Sequence, residues 1–441
     1  MTGSTLKRTL RLPHTTSLVV GTIVGASIFV QASEVTHHLP NIPFVLLAWT
    51  MSGVLTLFGA LACAELASAF PRTGGVYVFL KETYSPALGF LWGWAMFWVM
   101  HSGIIAAMSV VFARYTGFFI PLDDRGVRLV AVAAIAVISA INYTGVRIGS
   151  TIQTTVTIGK VLAVVIVVVV GFVVGSRLPA HFQYGADATA HAAGVTAPDF
   201  MLALIAGLFA FGGWHVVTYT AEETVDPERT IPLALVLGIG IVTVCYVALN
   251  AVYFYVLPVD RVIASTRVAA DAATKLLGQR GGAAISGLVM FSVFGAMTGS
   301  MMAAPRVYFA MARDGLLFQW VNQIHPRFRT PHRAIVLQAI WASVLVWTGT
   351  YRQLFTRVIF TEWIFFALMA AGIFMLRRRP GYAPTYRVWG YPLVPIVFIV
   401  FSAAIVVNRL VSEPLDSAAG LGLVALGVPV YYLWCRNSAP R

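Results

Sequence analysis

Two clusters of small residues lie inside apolar stretches, at 21–29 and 206–215. Glycines within them, among them Gly25, Gly212 and Gly213, each cost about 1 kcal/mol of helix stability and let the backbone open. Unpaired N–H groups at a helix start attract a carboxylate, and free carbonyls at a helix end attract an ammonium group. Backbone atoms in these clusters could therefore bind a zwitterion without any charged side chain.

The small residues have a second interpretation, which either cluster taken alone leaves open. Small side chains allow membrane helices to pack closely against each other. In lipid, an opened backbone survives only where it lines a cavity or is buried in protein. The relationship between the two clusters is needed to decide between packing and binding.

The elements that must position these clusters are membrane-spanning helices. The chain has 441 residues, of which 59% are hydrophobic and 11% charged, and its mean hydropathy is +0.81. Soluble domains are about 45–50% apolar and about 25% charged, so the soluble classes are excluded. The net charge of +13 would suggest a nucleic acid partner in a soluble chain. Here it is explained by basic cytoplasmic loops, and no nucleic acid partner is expected.

Apolar stretches of about 20 residues, the length that crosses a ~30 Å hydrocarbon layer, predict about twelve transmembrane helices. Their limits, divided at charged and Pro/Gly-rich segments, are 15–33, 43–69, 87–117, 128–144, 152–176, 199–219, 231–257, 283–311, 334–350, 358–376, 391–409 and 418–435. We number them as spans one to twelve. The segment 258–282 is amphipathic and is expected to form short helices at the outer surface.

The even number of spans places both termini on one side of the membrane. The bias of Lys and Arg favours the cytoplasm for that side, with 1–14 as a cytoplasmic tail. We expect a single all-α transmembrane domain over 1–441, located in the cell inner (plasma) membrane. No removable signal peptide is expected.

Spans one and six, which contain the clusters, are five crossings apart and must run in opposite directions. Interrupted helices at matching positions in two antiparallel halves indicate a transporter built from inverted repeats. Such a pair supplies both the N–H groups and the carbonyls that an α-amino acid needs.

Specific motifs extend beyond the glycine clusters. They are Gly21 to Val30, Phe209 with Tyr219-Thr220-Ala221-Glu222-Glu223 through Arg229, Ala64-Glu65-Leu66 with Pro71-Arg72-Thr73-Gly74-Gly75, Tyr246 with Asn250, and Phe294-Gly295, Gly299-Ser300 and Arg306 through Gly315. From about residue 10 to 400, the chain resembles the amino acid–polyamine–organocation (APC) superfamily. It is most similar to the L-amino-acid transporter branch, which contains the light subunits of heteromeric amino acid transporters and their bacterial relatives. The resemblance implies a LeuT-type fold, with inverted repeats at 15–176 and 199–376 and two additional helices at 391–435.

The resemblance implies a secondary active transporter of L-amino acids that works by alternating access. We expect neutral substrates, because no buried acid or arginine is predicted to pair with a charged side chain. Exchange (antiport) without sodium is the first expectation, with proton-coupled uptake as the alternative and a non-transporting amino acid sensor as a further one. An intramembrane enzyme would need a catalytic constellation, and we find no catalytic residues, metal-ligand spacing or cofactor motif in the sequence.

The substrate site is expected between spans one and six. Backbone groups of the first break would hold the carboxylate, and carbonyls at both breaks would hold the ammonium group. The predicted substrate-binding residues are Ile23, Gly25, Ala26, Ser27, Phe209, Ala210 and Gly212. By resemblance, Phe209 is the gate, and Ser27, where the family usually has glycine, implies a compact pocket.

Lys160 lies about nine positions into span five, roughly 13 Å deep at about 1.5 Å per residue. The resemblance implies that its ammonium group replaces the sodium ion of sodium-coupled relatives, bonding span-one carbonyls and hydroxyls such as Thr298 or Ser300. Tyr246 would support the opened part of span one, and His215 lies beside the break of span six.

The remaining polar residues receive simpler predictions. Glu65 is expected to form a structural ion pair or helix cap, Glu362 to be solvated near the outer interface, and His101 to be packed in the protein. By resemblance, a disulfide-linked heavy subunit would need a cysteine in the loop 118–127. That loop has none, so no such partner is expected.

Overall fold

The computed structural model describes residues 6–25, 27–117, 119–175, 195–265, 268–349 and 359–438. Within the described residues, each of the twelve predicted spans is helical. In the first half of the chain, span one is Leu12–Ile23 with Ser27–His38, span two is Ile42–Ala69, span three is Pro86–Ala95 with the π-helical turn Met96–Met100 and His101–Thr116, span four is Asp124–Tyr143, span five is Val146–Val174, and span six is Ala197–Ala210 with the 3₁₀ helix Trp214–Glu223. In the second half, span seven is Pro227–Val256, span eight is Gln279–Ala303 with Pro305–Arg313, span nine is His332–Thr348, span ten is Phe360–Leu376, span eleven is Leu393–Ser412, and span twelve is Pro414–Ala425 with Gly427–Ser438. Shorter helices are Val76–Thr83, Val259–Ala264, Val268–Leu277 and Gln319–Val321. The polytopic all-α architecture is confirmed.

Nine helices within the described residues are long and apolar enough to cross a membrane, and they correspond to spans two to eight, eleven and twelve. Span one falls outside this set because it is divided into two halves of 12 residues. Spans nine and ten have 17 residues each, or about 26 Å at 1.5 Å per residue, at the lower limit for crossing.

Several spans begin where a short polar side chain caps the first turn. Asn41 accepts a hydrogen bond from the Phe44 N–H at 3.3 Å, and a proline follows in the first turn of span two. Thr196 and Asp199 bond reciprocally at the start of span six, which makes a capping box. These caps satisfy N–H groups that have no partner inside the helix, so the sequence itself sets where these spans begin.

Each half of broken span one packs against the opposite half of broken span six. The first half of span one packs against the second half of span six, and the second half of span one packs against the first half of span six. This arrangement requires the two spans to run in opposite directions, as their parity predicts. The first half of span one also packs against spans five, seven and eight.

The N-terminal segment lies beside the end of span six. The N–H groups of Thr9 and Leu10 both donate to the Glu223 carbonyl at 2.9 Å, and the Val225 N–H donates to the Leu10 carbonyl at 2.8 Å. The N-terminus and the end of the sixth span therefore lie on the same side of the helix bundle, as six crossings require.

Two glycines of the clusters, Gly21 and Gly207, lie within the helices and serve close packing. A Cβ atom on Gly21 would overlap the side chains of Gln153 and Thr157 in span five, and one on Gly207 would overlap Ser52 in span two. For these two residues the packing interpretation of the clusters holds. The remaining glycines of the clusters open the helices.

Candidate functional site

The first break lies between Ile23, where the first half of span one ends, and Ser27, where the second half begins. Val24 leaves the helical conformation with φ −73° and ψ 80°, and the Gly25 N–H turns back to donate to the Ile23 carbonyl at 2.8 Å. Ala26 and the side chain of Ser27 lie outside the described part of the chain. The end of the first half-helix leaves carbonyls without helical partners.

The second break follows Ala210, where the α-helix of span six ends. The Gly212 N–H donates to the Phe209 carbonyl at 3.2 Å, and Gly213 adopts φ +96° before the chain continues as a 3₁₀ helix. This left-handed conformation is available to glycine without the steric cost that a Cβ imposes. The sequence of this cluster therefore determines both the position and the shape of the break.

Two hydroxyl groups connect the breaks to each other. The Thr22 hydroxyl lies 3.3 Å from the Gly213 carbonyl, besides its bond to Leu18 within its own helix. The buried Tyr246 hydroxyl of span seven lies 3.1 Å from the Ile23 carbonyl and 3.2 Å from the Ala210 carbonyl. Tyr246 thus contacts the opened backbone of span six as well as that of span one.

Both breaks border one cavity of about 300 Å³, lined by residues of spans one, three, six, eight and ten. The lining residues that the sequence predicted are Ile23, Gly25, Phe209, Gly212, His215 and Ser300. Thr22, Gln31, His101, Gly213 and Glu362 also line the cavity. Ala210, Lys160, Tyr246 and Thr298 are buried behind this lining.

Lys160 reaches the end of the first half of span one. Its side chain is 1% exposed, and Nζ donates to the carbonyls of Gly21 at 3.1 Å and Val24 at 2.8 Å. A cation is favourable there because the helix dipole places partial negative charge on the last carbonyls. The Thr298 hydroxyl donates instead to the Phe294 carbonyl of its own helix at 2.9 Å. Ser300 lines the cavity.

Glu362 contradicts the sequence-based expectation. It is 8% exposed and lines the cavity, so the prediction of a solvated carboxylate is wrong. The physical reason is packing, because Glu362 lies in the first turn of span ten on the face that meets spans three and six. Its neighbour one turn on, Phe366, contacts Trp92 and His215. The spacing of Glu362, Phe366 and Met369 in the sequence places all three on one face of the helix, which could have indicated that Glu362 is buried.

His101 and His215 line the same cavity as Glu362. His101 follows directly after the π-helical turn of span three, a local widening of the helix that is common at functional sites. His101 is 6% exposed and its Nδ1 lies 3.3 Å from the Tyr308 hydroxyl. His215 is 2% exposed and is the second residue of the 3₁₀ half of span six, which begins at Trp214.

Glu65 forms the structural ion pair that the sequence predicted. Its carboxylate accepts two hydrogen bonds from the Arg377 guanidinium at 2.9 and 2.6 Å and one from the Val388 N–H at 2.6 Å. The Tyr382 hydroxyl lies 3.3 Å away. Glu65 thus connects the end of span two to the end of span ten and the loop that follows it.

A set of ion pairs connects spans six and eight at the end of the molecule that carries the N-terminal segment. Arg306 pairs with Glu223 through two hydrogen bonds of 2.6 and 2.9 Å, and both side chains are almost fully buried. Arg313 makes a similar but more exposed pair with Glu222.

Next to these pairs, the short helix Val76–Thr83 is connected to Asp314 at the end of span eight. The Asp314 carboxylate accepts hydrogen bonds from Tyr77 at 2.7 Å and Lys81 at 2.6 Å. Burial, followed by the hydrogen bond to Asp314, raises the pKa of Tyr77 above its usual range, so its hydroxyl stays a donor.

Among the described residues, no group of three or more His, Cys, Asp or Glu side chains is arranged to hold a metal ion. The chemistry available at the breaks is the binding of charged groups by backbone atoms in a cavity enclosed by many helices. A polytopic helical protein with two interrupted, antiparallel spans around a central cavity has the architecture of a membrane transport protein.

Comparison with known proteins identifies the particular family. The amino acid permease family matches residues 10–427. The serine/threonine exchanger SteT of Bacillus subtilis is 31% identical over 431 residues, which cover 97% of each chain. The human cystine/glutamate transporter is 31% identical over 97% of this chain and 85% of its own. The human large neutral amino acids transporter small subunit 2 is 30% identical over 98% and 81%. The chain belongs to the amino acid permease family.

Proposed function

We propose that this protein transports L-amino acids across the cell inner membrane by alternating access around the cavity between spans one and six. The observation that carries the proposal is that two broken, antiparallel half-helix pairs border one cavity. Their N–H groups and carbonyls match the two charged ends of an α-amino acid. The relatives named above include amino acid exchangers and transporters.

Backbone groups at 23–27, that is of Ile23, Gly25, Ala26 and Ser27, would hold the substrate carboxylate. Carbonyls near Ile23 and of Phe209 and Gly212 would hold its ammonium group. The Ala210 carbonyl faces Tyr246 at 3.2 Å, so its contribution would be to hold the break open. The repeats 15–176 and 199–376 would supply one break each, with 391–435 as two additional helices.

Exchange is the proposed mode of transport, because a relative that this chain matches over 97% of its length is named as an exchanger. We propose neutral substrates as the main class. The cavity lining contains no described Arg or Lys side chain that could pair with an acidic substrate. The sequence-based argument against cationic side chains no longer applies, since Glu362 lies in the cavity.

The proposal includes no disulfide-linked subunit and places both termini in the cytoplasm. Of the three cysteines, two have described side chains: Cys63 lies in span two and is buried, and Cys245 lies in span seven and is half-buried. Neither position is suited to a disulfide with a second protein outside the membrane.

The test is uptake of radiolabelled serine, threonine, alanine or leucine into proteoliposomes that are loaded with, or free of, internal amino acid. An exchanger shows uptake only into loaded vesicles. Uptake into unloaded vesicles that rises with an inward proton gradient would instead establish the proton-coupled alternative. Binding of amino acids without transport under any condition would support the interpretation as a non-transporting amino acid sensor.

A further inference from the structure

We propose that His101, His215 and Glu362 form a polar subsite for the substrate side chain, selecting amino acids whose side chain donates a hydrogen bond. This inference rests on the amino acid transport proposed above and names the substrate class. The side-chain groups that fit are a hydroxyl and an ammonium group. We refer to the three residues as the polar subsite.

Each member of the polar subsite is more than nine-tenths buried, with exposures of 6%, 2% and 8%. Within the described part of the chain, His101 Nε2 and both ring nitrogens of His215 have no hydrogen-bond partner. No hydrogen bond or ion pair joins the Glu362 carboxylate to another described side chain, although the carboxylate lies among the cavity-lining groups. Buried polar groups are normally paired, so this set is suited to a partner that enters the cavity.

The three side chains converge although they come from three different spans. The rings of His101 and His215 each lie 5.6 Å from the Tyr219 ring. The His215 ring lies 4.9 Å from Phe366, which is one helical turn from Glu362 and on the same face of span ten. The two histidines and the carboxylate therefore lie around the same part of the cavity.

Besides the polar side chains of Thr22, Gln31 and Ser300, the side-chain surface of the cavity around the polar subsite is apolar. It is formed by Ile104, Ala107, Met108, Val111, Phe209, Val216 and Ile359. A carboxylate accepts hydrogen bonds, and a neutral imidazole can accept one and donate another. An aliphatic substrate side chain would leave these groups unpaired. A hydroxyl, which both donates and accepts, could pair with the carboxylate and with an imidazole, whereas an ammonium group could donate to the carboxylate or to an acceptor nitrogen. Sites built to bond a substrate hydroxyl discriminate strongly against the isostere that lacks it.

The polar subsite and the backbone groups of the breaks share one cavity of about 300 Å³. An amino acid with its charged ends at Gly25 and Gly212 would therefore have its side chain in the same volume that Glu362 borders. The α-amino acid and its side chain would then be recognised within one cavity.

The experiment measures competition against counterflow by isosteric pairs in proteoliposomes. We expect threonine to compete at least about tenfold better than valine, which has the same shape without the hydroxyl. In Glu362→Leu, the preference for threonine over valine should disappear. In Glu362→Gln, the amide oxygen still accepts a hydrogen bond, so part of the threonine preference should remain. Competition by 2,4-diaminobutyrate, the cationic probe, should be lost in both variants.

Glu34→Gln is the matched control, because this glutamate of span one is 58% exposed at its side chain, and it should keep the wild-type order of substrates. His215→Leu is a second variant of the subsite and should also narrow the gap between threonine and valine. Equal competition by threonine and valine in the wild type would overturn the inference, as would an equal loss for all substrates in Glu362→Leu and Glu362→Gln. Absence of counterflow for every amino acid would overturn the transport proposal instead.

Discussion

Two phenylalanines near the end of the first half of span six have different surroundings. Phe211 is fully buried, and its ring lies 6.5 Å from Trp49 and 5.0 Å from Tyr246. Phe209 is only partly buried and lines the cavity. The difference assigns Phe211 to the core, whereas the position of Phe209 at the cavity agrees with the proposal that it closes over a substrate.

We expect Phe209→Ala to reduce exchange at least about tenfold, which corresponds to about 1.4 kcal/mol of barrier or binding. The reason is that removing the ring leaves the bound substrate open to water from one side. The measurement is the initial exchange rate per amount of folded protein. Phe200→Ala, on the same helix but away from the cavity, is the control and should retain exchange. Unchanged exchange kinetics in Phe209→Ala would show that this residue packs in the protein and does not act as a gate.

At the scale of elements, the ion pairs between spans six and eight differ in burial. The side chains of Arg306 and Glu223 are 1% and 0% exposed, whereas those of Arg313 and Glu222 are 36% and 27% exposed. Removal of one partner from a buried pair leaves an uncompensated charge, which costs about 3–5 kcal/mol. Exposed pairs contribute at most about 1 kcal/mol. Loss of the buried pair is thus expected to lower the free energy of unfolding much more than loss of the exposed pair.

We expect Arg306→Met to lower the thermal unfolding temperature in detergent markedly, and Arg313→Met to leave it almost unchanged. The double variant Arg306→Met/Glu223→Gln should recover much of the loss, because no buried charge then lacks its partner. An Arg306→Met protein as stable as the wild type would show that the buried pair does not hold the two spans together.

For the whole molecule, we propose that the position of Lys160 determines which ion can be coupled to transport. Its ammonium group lies 3.1 and 2.8 Å from two carbonyls at the end of the first half of span one. By resemblance, sodium-coupled relatives place their ion in this region, so we propose that the lysine replaces it. The alternative is that Lys160 only stabilises the end of the half-helix.

Replacement of sodium by choline should therefore leave the initial exchange rate unchanged, while Lys160→Ala should impair turnover. Lys275→Met is the control, because this lysine lies on the short helix Val268–Leu277 and is exposed. Strong stimulation of the wild type by sodium would contradict the proposal. An active Lys160→Ala protein with an unchanged pH profile would assign the lysine a structural role only.

Local features of the sequence were enough to predict the twelve helices and the two breaks. Apolar length defines a span because hydrocarbon excludes unpaired backbone groups. Gly25 and Gly212–Gly213 mark the breaks because glycine weakens a helix, and Gly213 also adopts a left-handed conformation that a Cβ would penalise. The ion pair of Glu65 was also predictable, since a charged side chain within a span is costly and is commonly paired.

Only the tertiary structure decided which polar groups meet. Glu362 lies near the end of its span, where a carboxylate can equally face water or protein, and the packing of spans three, six and ten turns it into the cavity. Lys160 bonds Gly21 and Val24, while Thr298 satisfies its hydroxyl within its own helix. Helix formation follows from neighbouring residues in the chain, whereas these pairings depend on helices that are distant in sequence and come together only when the bundle is packed.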